Sequence, residues 1–280
     1  MKREDVQSLI DRALAEDMPG GDVTTKAIVP TGRRVRAVLL AKEDGILAGI
    51  DIFALVFKTL DPKVSVKHRV RDGSAFHEGQ VLAELAGPAA VLLMGERTAL
   101  NLIQRMSGIA TTTRAYVEAV EGTGARILDT RKTTPGLRDL EKYAVRAGGG
   151  LNHRRDLSSM VLIKDNHLAV AGGVVPAVRA VRAAYGRKFR VEVEAATVAQ
   201  ALEAASAGAD WIMLDNMSPA LMKKAVKLIA GRAKVEASGN VRLGNVRRIA
   251  ETGVDFISVG KLTHSIQAID LSLEIESGGK

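Results

Sequence analysis

The sequence predicts an α/β protein in which a mixed N-terminal domain leads into a longer run of repeated βα units. Three observations carry this. The chain has 280 residues, 46% of them hydrophobic but only 3% aromatic. Its core must therefore be built from Ala, Val, Leu and Ile, as where helices cover parallel strands. Six short β-rich runs follow residue 125, at 125–129, 160–164, 189–194, 211–215, 234–237 and 256–259. The later ones start roughly 22 residues apart, with helical patterns at 198–207, 219–229 and 246–251 between them. Such units with right-handed crossovers give a parallel sheet. Repeated this often, they close most easily into a barrel of the TIM type. An open doubly wound sheet is the competitor, but no G-x-G-x-x-G follows a first strand.

The N-terminal part reads differently. Val6, Leu9, Ile10, Ala13 and Leu14 share a helical face, which predicts a helix over 3–17, and Pro19-Gly20-Gly21-Asp22 ends it. Residues 34–40 alternate basic and apolar side chains, as a half-buried strand does. A short helix is expected over 51–60 and further strands over 64–71 and 81–85. Residues 96–120 read as a long helical stretch, with Ser107-Gly108 the place where it could break.

Composition excludes several function classes. The chain has no cysteine, which rules out a disulfide scaffold, thiolate zinc and a Cys nucleophile and fits a reducing, cytoplasmic setting. The start lacks the apolar core of a signal peptide, and no run reaches the ~18–20 apolar residues of a membrane span. The net charge of +8 permits nucleic acid, anionic lipid or small acidic substrates. A nucleic-acid binder would interleave basic residues with stacking aromatics. Here the informative cations cluster around glycines at strand ends, so small, highly charged substrates are expected.

Those strand ends carry the chemistry. In order they read Asp129-Thr130-Arg131-Lys132, Lys164-Asp165-Asn166-His167, Glu192-Val193-Glu194, Asp215-Asn216, Glu236-Ala237-Ser238-Gly239-Asn240 and Gly260-Lys261. In a βα barrel all of them meet on one rim. Early ends supply cations, with His153-Arg154 on a connecting segment; Glu194 and Asp215 are carboxylates; the last two are small loops suited to a phosphate. The carboxylates could hold Mg²⁺ or hydrogen-bond ribose hydroxyls, and the sequence leaves both open. His153 and His167 lack H-E-x-x-H spacing, which argues against zinc. His68 and His77 read as surface residues, and Lys223-Lys224 and Arg247-Arg248 as solvated helix faces.

Taken in order, these motifs resemble quinolinate phosphoribosyltransferases over nearly the whole chain. The likeness is carried by Gly21-Asp22-Val23-Thr24-Thr25, Glu96-Arg97-Thr98-Ala99-Leu100-Asn101, the run from Asp129 to Gly136 and Gly148-Gly149-Gly150 through Arg154. Leu162 to His167, Val191 to Glu194, Met213 to Asn216, Glu236 to Gly239 and Ser258 to Ser265 extend it. The resemblance implies an N-terminal α/β sandwich domain (1–105, with the tail 266–280) and a seven-stranded, TIM-like α/β barrel (106–265). It also implies a homodimer in which Arg97 reaches the partner's site. Arg131, His153, Arg154 and Lys164 would hold the two carboxylates of quinolinate. Lys132, Lys164, Glu194 and Asp215 would serve phosphoribosyl pyrophosphate and its Mg²⁺, with Lys132, Glu194 and Asp215 catalytic. Ser238, Gly239 and Gly260 would bind the 5′-phosphate. Lys261, where the family often has Ala, would add a phosphate contact or face solvent. No organic cofactor, nucleic acid or membrane is implied. Molybdenum-associated relatives of the same fold and nicotinate-type phosphoribosyltransferases are the enzyme rivals. The full Asp165-Asn166-His167 run and the Asn152-His153-Arg154 triplet favour the quinolinate enzyme.

Overall fold

The computed structural model describes residues 3–276; positions 1, 2 and 277–280 of the expected domain ranges lie outside the described residues. Along the chain run α1 (Arg3–Asp17), α2 (Val23–Ile28), β1 (Arg34–Ala41), β2 (Gly45–Ile46), α3 (Ile50–Leu60), β3 (Ser65–His68) and β4 (Ala75–Phe76). Then come β5 (Val81–Pro88), α4 (Ala89–Ala119), β6 (Arg126–Leu128), α5 (Arg138–Ala147), β7 (Val161–Ile163), α6 (Asp165–Ala171) and α7 (Val174–Tyr185). The last are β8 (Val191–Ala195), α8 (Val198–Ser206), β9 (Trp211–Asp215), α9 (Pro219–Ile229), β10 (Lys234–Ser238), α10 (Leu243–Ala250), β11 (Phe256–Ser258), α11 (Lys261–His264) and β12 (Leu271–Ile275).

The first compact unit comprises 1–114, 134–149 and 265–280. Its antiparallel sheet has the order β12-β1-β5-β3, so the tail of the chain pairs with the first strand, Leu39 opposite Leu273. Helix α1 buries Val6, Ile10 and Leu14, one residue per turn, and packs on α3, where Phe53 and Phe57 meet edge to face at 5.1 Å. Asp72 accepts from the first amides of α3, Gly49 at 2.9 Å and Ile50 at 3.1 Å, and from the Tyr143 hydroxyl at 2.6 Å. The last contact ties α5 to this unit. A second tie is Glu141, buried on α5, whose carboxylate takes Arg105 of α4 at 2.6 and 3.0 Å. In this unit α4 is grouped through residue 114, together with the segment 134–149.

Helix α4 is continuous through Ser107-Gly108, where the sequence suggested a break. The glycine serves packing instead. A Cβ at Gly108 would lie 1.9 Å from the carbonyl oxygen of Gln267, so the returning segment crosses the helix where no side chain stands.

The second unit comprises 115–133 and 150–264. Its six strands are all parallel in the order β6-β11-β10-β9-β8-β7. The last strand of this unit, β11, pairs with the first, β6, through Phe256–Arg126, Ile257–Ile127 and Ser258–Leu128. That wrap-around is barrel topology and excludes the open doubly wound alternative. The strand count differs from seven: beyond β6 the ladder continues as a single parallel bridge, Leu128 to Leu151, with no seventh strand among the described residues. The helices bury a small-residue face, as α8 does with Ala201, Ala204 and Ala205, which lets them lie close on the strands. Among the described residues no single helix is long and apolar enough to cross a membrane.

Replacing Gly108 with Ala should destabilise the first unit, because the clash is with backbone and not with a movable side chain. We expect a loss of about 1–3 kcal/mol, the range of an overpacked core, read as a lower Tm in thermal unfolding. An unchanged Tm would show that the returning segment shifts freely.

Candidate active site

Because successive side chains of a strand alternate between faces, residues two apart look into the same space. Lys164 follows Leu162, Glu194 follows Glu192, Asp215 follows Met213, Ser238 follows Glu236 and Gly260 follows Ser258. The later member of each pair stands at the strand's carboxyl end and the earlier one a layer below. A cavity of about 560 Å³ opens there, lined by all five upper residues and, from the lower layer, by Leu162, Met213, Glu236 and Ser258. Arg131, Lys132, His153, Arg154 and Gly239 also line it. Ten of the eleven residues singled out from the sequence thus converge. The exception is Arg97, which lies exposed on α4 in the first unit and does not line the cavity.

One wall is cationic and rigidly supported. Asp129, fully buried after β6, accepts from the backbone amide of His153 at 2.8 Å and from the Asn152 side chain at 2.6 Å. The amide of Arg154 donates to His153 Nδ1 at 2.7 Å, and the Arg154 guanidinium donates to the Met160 carbonyl at 3.1 Å. Burial and the neighbouring Arg131 push the Arg154 guanidinium below its ordinary pKa. Two guanidinium groups lining one cavity suit an anionic ligand.

His153 lines the cavity with both ring nitrogens facing protein groups. With Nδ1 accepting from backbone, Nε2 carries the proton and faces Glu192 Oε2 at 2.8 Å and Glu236 Oε2 at 3.5 Å. Both ring nitrogens are directed at protein groups, so the residue positions Arg154 and caps the buried carboxyls. Glu192 and Glu236 are themselves 0% exposed. Desolvation pushes both pKa values up, and the Glu192 charge adds to the rise at Glu236. The sequence did contain their signal, the i, i+2 spacing in Glu192-Val193-Glu194 and Glu236-Ala237-Ser238, but a polar strand end draws the eye away from the layer beneath it.

The opposite side is a cradle of backbone in left-handed conformation. Asn216 (φ 53°), Gly239 (φ 92°) and Asn240 (φ 52°) lie together, with the Asn240 side chain donating to Asn216 Oδ1 at 3.0 Å. A Cβ on Gly239 would come 2.1 Å from that same oxygen, so glycine is required here twice over, by φ and by space. Gly260 sits against Lys132 Cδ and His264 Cδ2, and Thr263 donates to the Lys132 carbonyl at 2.8 Å, fixing the first strand's loop against the last strand's. Lys261 lines the cavity and is exposed. Between the cationic wall and the cradle, burial raises the Glu194 pKa, and the charge of Asp215 raises it further. Two hard-oxygen donors that repel each other in this way suit a divalent cation such as Mg²⁺.

Comparison with known proteins agrees with this geometry. The C-terminal domain of quinolinate phosphoribosyl transferase matches residues 109–274, and its N-terminal domain matches 22–107. The chain belongs to the quinolinate phosphoribosyl transferase family. It is similar to the probable nicotinate-nucleotide pyrophosphorylase (carboxylating) of Bacillus subtilis, 46% identical over 98% of this chain and 95% of that one. The chloroplastic nicotinate-nucleotide pyrophosphorylase (carboxylating) of Arabidopsis thaliana is 45% identical over 98% of this chain and 83% of its own length. The solved structure of NadC from Streptococcus pyogenes superposes with a TM-score of 0.95, at 41% identity and 99% coverage of both chains.

The buried carboxyls have a consequence for stability. Glu236 rises from an ordinary 4.5 to about 8. A raised folded-state pKa means the folded chain keeps a proton that the unfolded chain has lost. Its stabilising contribution is full below pH 4.5 and falls as pH rises to about 8. Glu236→Gln has no proton to lose, so between about pH 5 and about pH 8 its Tm should fall less than the parent's. Parallel Tm profiles would contradict a neutral Glu236.

Proposed function

We propose that the protein is a cytoplasmic quinolinate phosphoribosyltransferase, converting quinolinate and phosphoribosyl pyrophosphate to nicotinate mononucleotide, CO₂ and pyrophosphate on the route to NAD. The observation that carries this is the cavity itself, in which two guanidinium groups and Lys164 face a phosphate cradle across a pair of carboxylates. Arg131, Arg154 and Lys164 pair with the two ring carboxylates, since planar forks fit carboxylates bidentately. Ser238, Gly239 and Gly260 take the 5′-phosphate through backbone donors, and Lys132 takes pyrophosphate oxygens. Glu194 and Asp215 would hold Mg²⁺, which when bound offsets charge on the departing pyrophosphate. The same carboxylates stabilise the ribosyl carbon as it becomes oxocarbenium-like. The ring nitrogen bonds to that carbon as pyrophosphate leaves. The ring is then cationic, and the carboxylate beside its nitrogen departs as CO₂, its electron pair held by the ring until a proton arrives.

Incubating the protein with Mg²⁺, phosphoribosyl pyrophosphate and either quinolinate or nicotinate tests the reading. Nicotinate mononucleotide should form from quinolinate with a far higher kcat/KM, because nicotinate brings only one carboxylate to the cluster of Arg131, Arg154 and Lys164 that lines the cavity. Equal kcat/KM for the two acids would overturn the assignment.

Arg97, exposed on α4 and absent from the cavity lining, is placed by the same reading in the site of a second copy, the protein acting as a homodimer. Arg97→Ala and Lys132→Ala proteins, each inactive alone, should regain activity on mixing, because some hybrid dimers hold one intact site. Absence of recovery despite proven subunit exchange would put Arg97 outside the chemistry.

A further inference from the structure

The reaction needs a proton at the ring carbon that loses CO₂, and the cavity floor holds an acid that the scheme above leaves unused. Leu162, Met213, Glu236 and Ser258 form that floor, one layer under the rim residues. Three of the four are apolar or hydroxyl-bearing; the fourth is a carboxyl with no exposure to solvent. Neither Glu236 oxygen finds a hydrogen-bond donor within the protein at ordinary geometry. Burial penalises an ionised carboxylate so placed by more than His153 and Ser258 offset, whereas a carboxylic acid is tolerated. The groups facing it are Glu192 on β8, His153 after the Leu151 bridge and Ser258 on β11. His153 Nε2 is nearer to Glu192, at 2.8 Å against 3.5 Å, so its proton is committed to Glu192 and does not neutralise Glu236.

We infer that Glu236 is the general acid of the decarboxylation half-reaction, delivering its proton from the cavity floor to the ring carbon that CO₂ leaves. This rests on the reading of the cavity as a quinolinate site. In the step, the bond from the ring carbon to its carboxylate breaks and the electron pair stays on the ring carbon. A C–H bond forms there with the Glu236 proton, and the O–H pair remains on Glu236 as carboxylate. Solvent returns the proton after product leaves. The charge change suits the surroundings. One substrate carboxylate leaves as neutral CO₂, and the new Glu236 carboxylate replaces its negative charge beneath the same cationic wall. The acid is therefore hard to ionise before decarboxylation and easier to ionise during it. Glu192 is a positioning residue in this arrangement, holding the His153 ring whose other nitrogen fixes Arg154.

The test separates the two halves of the reaction. Glu236→Gln keeps the shape of the neutral acid but removes its transferable proton. With quinolinate labelled in the carboxyl next to nitrogen, pyrophosphate release, labelled CO₂ and nicotinate mononucleotide are followed together, and quinolinate binding is titrated directly. Pyrophosphate release and binding should persist while nicotinate mononucleotide formation falls by ~10²-fold or more, the usual worth of a general acid. Quinolinate mononucleotide should then accumulate, detectable by mass spectrometry, and Glu236→Asp, which retains an acid on a shorter arm, should recover part of the loss. Parent-like product formation in the Gln variant overturns the inference. So does an equal loss of pyrophosphate release and product with binding intact, or an Asp variant no better than Gln. Should the parent protein itself make neither pyrophosphate nor nicotinate mononucleotide, the activity assignment fails instead.

Discussion

Pairing of β11 with β6 is the constraint on which the site depends. Without it β6 would leave the ladder, and Arg131 after β6 would no longer be held beside Gly260 after β11. With it, the first and last strand ends become neighbours, and the Thr263 hydroxyl bonds the Lys132 carbonyl across the seam. The pairing brings polar strand ends from both ends of the unit's sequence to one cavity. It also stacks a second ring beneath, because each inward-facing residue has a partner two positions earlier on its strand.

The two rings do different electrostatic work. The upper one meets solvent through the cavity mouth and carries full charges, cations on the β6 and β7 side and carboxylates on β8 and β9. The lower one floors the cavity and is buried from solvent, and there two carboxyls are accommodated by holding protons or by facing an imidazole N–H. A core of Leu and Met at those two positions would be more stable, so the burial of Glu192 and Glu236 is a cost that function must explain. Asp129 plays the complementary part: fully buried but bonded to Asn152 and His153, it anchors the segment that presents Arg154.

The first unit shows how a helix end and a sheet edge are held without large polar networks. The Asp72 carboxylate caps α3, takes the Tyr143 hydroxyl and so binds α5, although Asp72 and Tyr143 lie 71 positions apart in the chain. Desolvation and that same carboxylate push the Tyr143 phenol well above its ordinary pKa, which keeps it a donor. Glu141 and Arg105 bind α5 to α4 in the same manner. Long-range pairs of this kind leave no periodic trace, which is why residues 134–149 look like part of the barrel when the sequence is read in order.

Much of the fold was legible because periodicity is local. The helix over 3–17, the strand from Arg34 and the six β-rich runs all rest on alternation or on a 3.6-residue repeat, and each stands within a few residues of where the pattern places it. Rim residues such as Lys164, Glu194 and Asp215 were legible too, since a charge at the end of an apolar run marks where the strand leaves the core. Tertiary structure alone decided the rest. The Ser107-Gly108 pair in α4 is a packing notch and not a break, because the Gln267 carbonyl that needs the space arrives from far along the chain. The ladder holds six strands, with β6 and β7 at its two ends and a single bridge from Leu128 to Leu151, because hydrogen-bond register is set between strands and not within them. His153 points its ring nitrogens at Glu192 and at the Arg154 amide, and no spacing in the sequence distinguishes that from a ring turned toward a ligand. Sequence determines which residues share a face; only the order in which the strands pair determines what each face looks at.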